Sequence, residues 1–218
     1  MSGKPTVFVV DHDPSTRDAV RDLAAEMRLD CKPYASGFEF LDNFDRDRHG
    51  CLVLEVRILD VSGPQIQRRL AAEGVKIPII FLAAETSVPV VVRVMREGAL
   101  HFFEKPFDAE GLWEAIQNAV WLDRNRREEE KRLRALQRKF STLRPEEREV
   151  LRMVLEGRPN REIARVQDVS VRTVEARRSH LMQKLDAGSV VELVQAAFSV
   201  NGHLSRSPGE APHAAAHG

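Results

Sequence analysis

Charged side chains mark the ends of several short apolar runs in the first half of the chain. Asp11, His12 and Asp13 follow "TVFVV", Glu55 closes "CLVLE", Ala83 and Ala84 close "IPIIFLA", and Lys105 follows "LHFFE". If these runs are parallel strands, their carboxyl ends share one edge, where α/β sheets collect functional groups. Polar residues at three separate strand ends point to one shared site. Glu55 is an acid closing a run that reads as a buried strand. A second group lies further along. Residues 158–184 hold seven Lys and Arg against three acids on a helical pattern, a balance suited to phosphate contacts.

The elements that must position these groups are legible from periodicity. Residues 6–11, 31–34, 51–56, 77–83 and 100–105 read as strands. The run "CLVLEV" lacks alternation, as expected when both faces of a sheet are covered. Helical spacing appears at 14–28, 37–44, 63–73 and 89–97, with Val20, Leu23, Ala24 and Met27 forming one stripe. Five strands alternating with helices imply a doubly wound, five-stranded parallel sheet. From Asp108 to about Lys139 the pattern is helical, with Leu112, Ile116, Ala119 and Val120 on one face. The segment "DRNRREEEKR" (123–132) is charged all round and reads as a solvated helix bridging two domains. Four shorter helices follow, at about 145–156, 159–167, 171–186 and 189–199, with Ser170 suited to cap the third. The expected boundaries are 1–122 for the α/β domain, 123–140 for a helical linker and 141–202 for a four-helix all-α domain. Residues 203–218, rich in small residues, Pro and Gly, read as a disordered tail; its three loosely spaced histidines suggest no metal site.

Charge divides the chain. Residues 1–123 carry 14 Lys and Arg against 20 Asp and Glu, while the remainder carries 19 against 13, so a net of −6 is joined to a net of +6. Only the second half is expected to meet a polyanion. No run approaches the ~18 apolar residues of a membrane helix, and the start lacks a signal-peptide core. Cys31 and Cys51 match no metal or redox spacing and read as reduced thiols of a cytoplasmic protein.

On a helical wheel at about 100° per residue, Val174, Leu181 and Leu185 form the buried stripe of the third short helix. Arg172, Ala176, Ser179 and Gln183 lie opposite, with Glu175 on the flank. Such a polar-faced helix after a tight turn fits a major groove; an ordinary small bundle has a similar pattern. This stretch resembles the LuxR-type helix-turn-helix domain of NarL/FixJ response regulators. The resemblance rests on Leu143, Glu147, Val150, Leu151, Gly157, "NREIA" (160–164), Val169, Ser170, "RTVE" (172–175), Lys184 and Leu185. It implies double-stranded DNA as the partner and a homodimer on DNA. It assigns Arg172, Glu175, Ala176 and Ser179 to base edges, Arg177, Arg178 and Lys184 to the backbone, and Thr173 to the same contact surface. The last helix, through Val190, Val191, Val194 and Phe198, would form the dimer interface. Arg144 and Arg177 depart from the family's small hydroxyl residue and histidine.

The first 122 residues resemble a response-regulator receiver domain, through "VVDHDPSTR" (9–17), "VRILDVSG" (56–63), "SVP" (87–89) and "MREGALHFFEKPF" (95–107). In that family a strand-end aspartate takes the phosphoryl group, an acidic pair holds Mg²⁺, and a hydroxyl residue and a lysine contact phosphoryl oxygens. The corresponding positions here are Glu55, the pair Asp11 and His12, Ala83, and Lys105. Ile58-Leu59 stands where the family has Met-Pro. Histidine offers nitrogen where Mg²⁺ prefers oxygen. Glutamate is longer than aspartate by ~1.5 Å, one C–C bond, and a misplacement of ~1 Å can cost on the order of a hundredfold in rate. Alanine donates no hydrogen bond. The expectation is a degenerate pseudo-receiver, with Glu55 paired to Lys105, no catalytic residue, no metal and no cofactor. The chain would be a transcriptional regulator independent of phosphorylation, and not an enzyme. Two other readings stand beside it: a decoy module that binds a histidine kinase or another regulator, and a conventional switch using a substitute acceptor, with Asp13 and Asp60 nearby as spare acids or helix caps.

Overall fold

The computed structural model describes residues 3–85 and 87–204; the tail expected to be disordered lies, from residue 205 onward, outside the described residues. The chain divides into two compact units, 1–128 and 129–218.

The first unit alternates strands and helices: β1 (Thr6–Val10), α1 (Pro14–Glu26), β2 (Asp30–Tyr34), α2 (Gly37–Asn43), β3 (Gly50–Glu55), α3 (Gly63–Ala72), β4 (Ile79–Ala83), α4 (Val88–Arg96) and β5 (His101–Glu104). The strands are all parallel, in the order β2-β1-β3-β4-β5. Because side chains alternate across a strand, each strand feeds two cores. Phe8, Leu52, Leu54 and Phe81 face Phe40, Ile66, Leu70 and Val94 of α2, α3 and α4. Val7, Val9, Val53, Ile80 and Leu82 face Val20 and Ala24 of α1 and Leu112, Ile116 and Ala119 of the following helix, α5 (Ala109–Ser141). Both faces are covered, which is why these strands read as continuous apolar runs. The sheet is therefore doubly wound as expected.

Two glycines set the ends of β3. Gly50 has φ of +149°, and a Cβ there would lie 1.8 Å from the Thr6 carbonyl oxygen. At the other end, a Cβ on Gly63 would lie 2.3 Å from the Glu55 carbonyl oxygen. The start of α3 thus packs directly on the strand end that carries Glu55.

Within the second unit lie α6 (Pro145–Leu155), α7 (Asn160–Val166), α8 (Val171–Lys184) and α9 (Val190–Leu204). Their core comprises Val150, Met153, Val154, Ile163, Val174, Leu181, Leu185 and Leu193. The tight turn between α7 and α8 uses Asp168 at φ of 50°, a left-handed conformation that Asp tolerates better than most residues. Ser170 then caps α8, accepting from the Thr173 amide at 3.1 Å. Helix α5 runs unbroken through the region expected to be a linker. The expectation that residues 123–132 are solvated all round is corrected at one position: Asp123 is completely buried, because Arg126 and Arg127 neutralise it from the next turn.

Candidate functional site

The strand ends bring together Asp11, Glu55, Ala83 and Lys105. Asp11 and Glu55 are buried, at 1% and 3% exposure, and Lys105 at 14% reaches between them. Its Nζ donates to Asp11 Oδ2 at 2.6 Å and lies 2.6 Å from Glu55 Oε2. The Glu55 approach is a Coulombic contact outside hydrogen-bond geometry, while Glu55 Oε1 accepts from the Arg57 amide at 3.0 Å. Burial of Lys105 opposes its charge, but the hydrogen bond to Asp11 and the attraction of the Asp11 and Glu55 carboxylates outweigh this and hold its pKa above the ordinary lysine value. The Lys105 amide donates to the Ala83 carbonyl at 2.7 Å, and the Ala83 side chain is buried in the apolar core that includes Phe81 and Val94. The expected Glu55–Lys105 pair is present, with Asp11 as a third member.

His12 stands apart. It is about half exposed, with Nδ1 3.8 Å from Asp11 Oδ1. Arg17 fixes this turn by donating to the carbonyls of Asp11 at 2.7 Å and His12 at 3.0 Å. Among the described residues, no group of three or more His, Cys, Asp or Glu is arranged to hold a metal ion.

The spare acids are engaged in caps. Asp13 accepts from the Ser15 hydroxyl at 2.7 Å, the Ser15 amide at 3.0 Å and the Thr16 hydroxyl at 3.0 Å. These bonds, those of Ser15 foremost, lower its pKa to about 2. Asp60 ties the β3–α3 loop to the start of α2, accepting from the Ser36 hydroxyl and the Gly37 and Phe38 amides at 2.7, 3.1 and 2.8 Å. Desolvation would raise its pKa, but the amides of Phe38, Gly37 and Val61 and the Ser36 hydroxyl hold it well below the usual carboxylate range.

In the second unit, α8 buries Val174 and Leu181 and exposes Arg172, Glu175, Ala176, Ser179, His180 and Gln183; Thr173 is half-buried. The three cations expected at a DNA backbone are each held within the unit. Arg177 donates to Gln167, Arg178 donates to Asn160 at 2.5 Å, and Lys184 makes two bonds to Glu147 at 2.7 and 2.9 Å. Glu147 is buried and also accepts from the Arg144 amide at 2.8 Å, which closes the first turn of α6. Arg161 and Arg165, one turn apart on α7, are exposed and have no ion partner among the described residues. The sequence reading counted them among the seven basic residues of 158–184 without singling them out, although a basic pair at i, i+4 was a signal. On α9, Val190, Val191 and Phe198 are exposed and Val194 is half-buried.

A parallel sheet in this order with acids and a lysine at its strand ends, followed by a capped turn and a polar-faced helix, defines a receiver module joined to a helix-turn-helix module. Residues 7–117 match the response regulator receiver domain, and residues 141–197 match the bacterial regulatory proteins of the luxR family. The response regulator protein TmoT of Ectopseudomonas mendocina is 34% identical over 189 residues, covering 87% of this chain and 86% of the relative. The transcriptional regulatory protein TdiR of Thauera aromatica is 34% identical over 200 residues, covering 92% and 88%. The structure of the response regulator StyR superposes with a TM-score of 0.82 at 35% identity, covering 89% of this chain and 98% of that one. The chain belongs to the response regulators that join a receiver domain to a LuxR-type DNA-binding domain, and it is a transcriptional regulator.

Proposed function

We propose that this response regulator binds double-stranded DNA without an aspartyl-phosphate cycle, its receiver serving as a fixed scaffold. The carrying observation is the Lys105 ammonium, 2.6 Å from both Asp11 and Glu55. It sits between the two carboxylates that a divalent cation would need, and His12 adds a nitrogen outside that pair. Mg²⁺ demands oxygen ligands in a near-ideal octahedron, so these residues do not fit it. A glutamate at 55 displaces the attacking oxygen from the aspartate position, and Ala83 has no proton to give a phosphoryl oxygen. Asp13 and Asp60 are committed to caps at α1 and α2, which supports reading neither as a substitute acceptor.

DNA contact falls on α8 through Arg172, Thr173, Glu175, Ala176 and Ser179, with the adjoining α7 cations Arg161 and Arg165 at phosphates. A glutamate can accept from cytosine N4, and an alanine can meet a thymine methyl. Arg177 and Arg178 flank this face and stiffen it through Gln167 and Asn160. A homodimer would form through Val190, Val191, Val194 and Phe198. Arg132, Leu136 and Lys139 line a groove with Glu192, Gln195 and Ser199 of α9, residues on a different side of that helix from the valines and Phe198.

The test combines two measurements. Full-length protein treated with acetyl phosphate and Mg²⁺ should acquire no acid-labile phosphoryl group. Genomic occupancy of the untreated chain should be matched by Glu55→Asp and Glu55→Ala variants. Labelling of the wild type, or occupancy that changes at least about tenfold with residue 55, would sink the proposal; tenfold corresponds to about 1.4 kcal/mol.

A further inference from the structure

The apolar stripe of α5 runs through Leu112, Ile116 and Ala119. The next position on that face is Asp123, where the helix delivers a carboxylate to the end of the sheet opposite the Lys105 cluster. Asp123 Oδ2 accepts from the Gly50 amide at 2.9 Å and from Arg127 Nε at 2.8 Å, and Oδ1 pairs with Arg126. The remaining guanidinium hydrogens of Arg127 reach three successive carbonyls of the loop before β3: Arg48 at 2.8 Å, Arg46 at 3.1 Å and Asp47 at 3.3 Å. One planar fork thus bridges the helix to a segment about eighty residues away in sequence. Gly50 aims its amide at Asp123 only because it holds a φ of +149° with no Cβ.

We propose that Asp123 and Arg127 form a clasp that positions α5. The clasp fixes the direction and axial rotation of the helix where it leaves the receiver. The helix so held continues past residue 128 into the second unit. A planar guanidinium bound at four points resists rotation as well as displacement, which an apolar contact would not. The clasp also makes β3 a tie between two ion clusters. Gly50, its first residue, bonds to Asp123, and Glu55, its last, meets Lys105. Every residue of the strand between them is buried. In its functional arm this inference rests on the second unit being the DNA-binding one; its structural arm stands without that.

The experiment compares hydrogen exchange of the full chain in wild type, Arg127→Ala, Arg127→Lys and the control Arg124→Ala, whose parent side chain is exposed and, among the described residues, pairs with Glu128. Each is also tested for affinity to a DNA fragment selected from a random pool by the wild type. Exchange of amides 124–132 should rise at least about tenfold in Arg127→Ala, as expected for losing hydrogen bonds to a charged group. Amides 7–10 and the Arg124→Ala control should stay at wild-type protection, and DNA affinity should fall severalfold in Arg127→Ala. The lysine variant keeps the charge beside Asp123 but cannot span three carbonyls, so it should be intermediate. Unchanged exchange at 124–132 in a folded Arg127→Ala protein overturns the clasp. Raised exchange with unchanged DNA affinity overturns its positioning role. If Arg127→Ala fails to fold, wild-type exchange in Arg127→Lys overturns the clasp instead. Failure of the wild type to select any fragment counts against the DNA reading and leaves the exchange result to decide the clasp.

Discussion

Lys105 is the residue on which the receiver cluster turns. Its single ammonium sits between two carboxylates that are nearly inaccessible to solvent. Removing one partner of such a buried pair is far more costly than replacing both, because the remaining charge is left unsolvated. Lys105→Met should therefore destabilise the receiver by about 3–5 kcal/mol, and Glu55→Gln by clearly less, since Asp11 would still hold the lysine. The double variant Glu55→Gln/Lys105→Met should recover part of the loss. Urea unfolding followed by circular dichroism checks this ranking, and a Lys105→Met variant as stable as wild type would contradict it. The Glu55–Lys105 pair was legible in the sequence because both positions close predicted strands. The capture of Asp60 by Ser36, Gly37 and Phe38 was not, since it depends on how two loops meet above the sheet.

Among the elements, α6 and α8 are joined by the Lys184–Glu147 ion pair, with His180 Nδ1 4.0 Å from Glu147 Oε1, as well as by their apolar faces. The hydrogen bond from Lys184, then that from the Arg144 amide, hold the Glu147 pKa below its ordinary 4.5. A depressed acid contributes stability that is present above the unfolded value and lost as pH falls through the folded one. The helical unit should therefore keep this contribution at neutral pH and lose it progressively below about pH 4.5. Lys184→Met should reduce that acid-dependent loss, the Arg144 amide remaining, and leave a flatter stability profile between about pH 5 and pH 3, measured by thermal melts of the full chain. An unaltered profile would show that Glu147 titrates without Lys184. Both residues were recognisable in the sequence as matching the LuxR-type pattern, and Lys184 was read as a backbone contact. Its engagement by Glu147 arises from the packing of two helices, which a wheel drawn for one helix cannot display.

At the scale of the whole molecule, the charge asymmetry places the net positive charge on the half that carries the helix-turn-helix unit. Each phosphate neutralised by a cation releases counterions, so DNA affinity should fall steeply with salt. Arg161→Ala and Arg165→Ala should each reduce the slope of log K against log salt by ~1. Lys184→Gln should leave the slope unchanged, because that ammonium is held by Glu147. Fluorescence anisotropy on a selected DNA fragment at several salt concentrations distinguishes them; an equal reduction for Lys184 would place it on the backbone after all. The opposite charges of the two halves were visible by counting. Which cations remain open to a phosphate was not, because an arginine that reaches solvent and one that bonds to a neighbouring helix have the same letter.

Local periodicity determined the elements of this protein. Continuous apolar runs could only be strands covered on both faces, and the stripe of Val174, Leu181 and Leu185 could only be one face of a helix. The order of elements then required a doubly wound sheet followed by a helical unit, and the strand ends nominated Asp11, Glu55, Ala83 and Lys105. Tertiary structure alone decided how these charges are satisfied. Lys105 meets Asp11 across 94 residues, Asp123 meets Gly50 across 73, and Lys184 meets Glu147 across 37. Periodicity reports which way a side chain points from its own element, whereas pairing depends on what another element brings to that place.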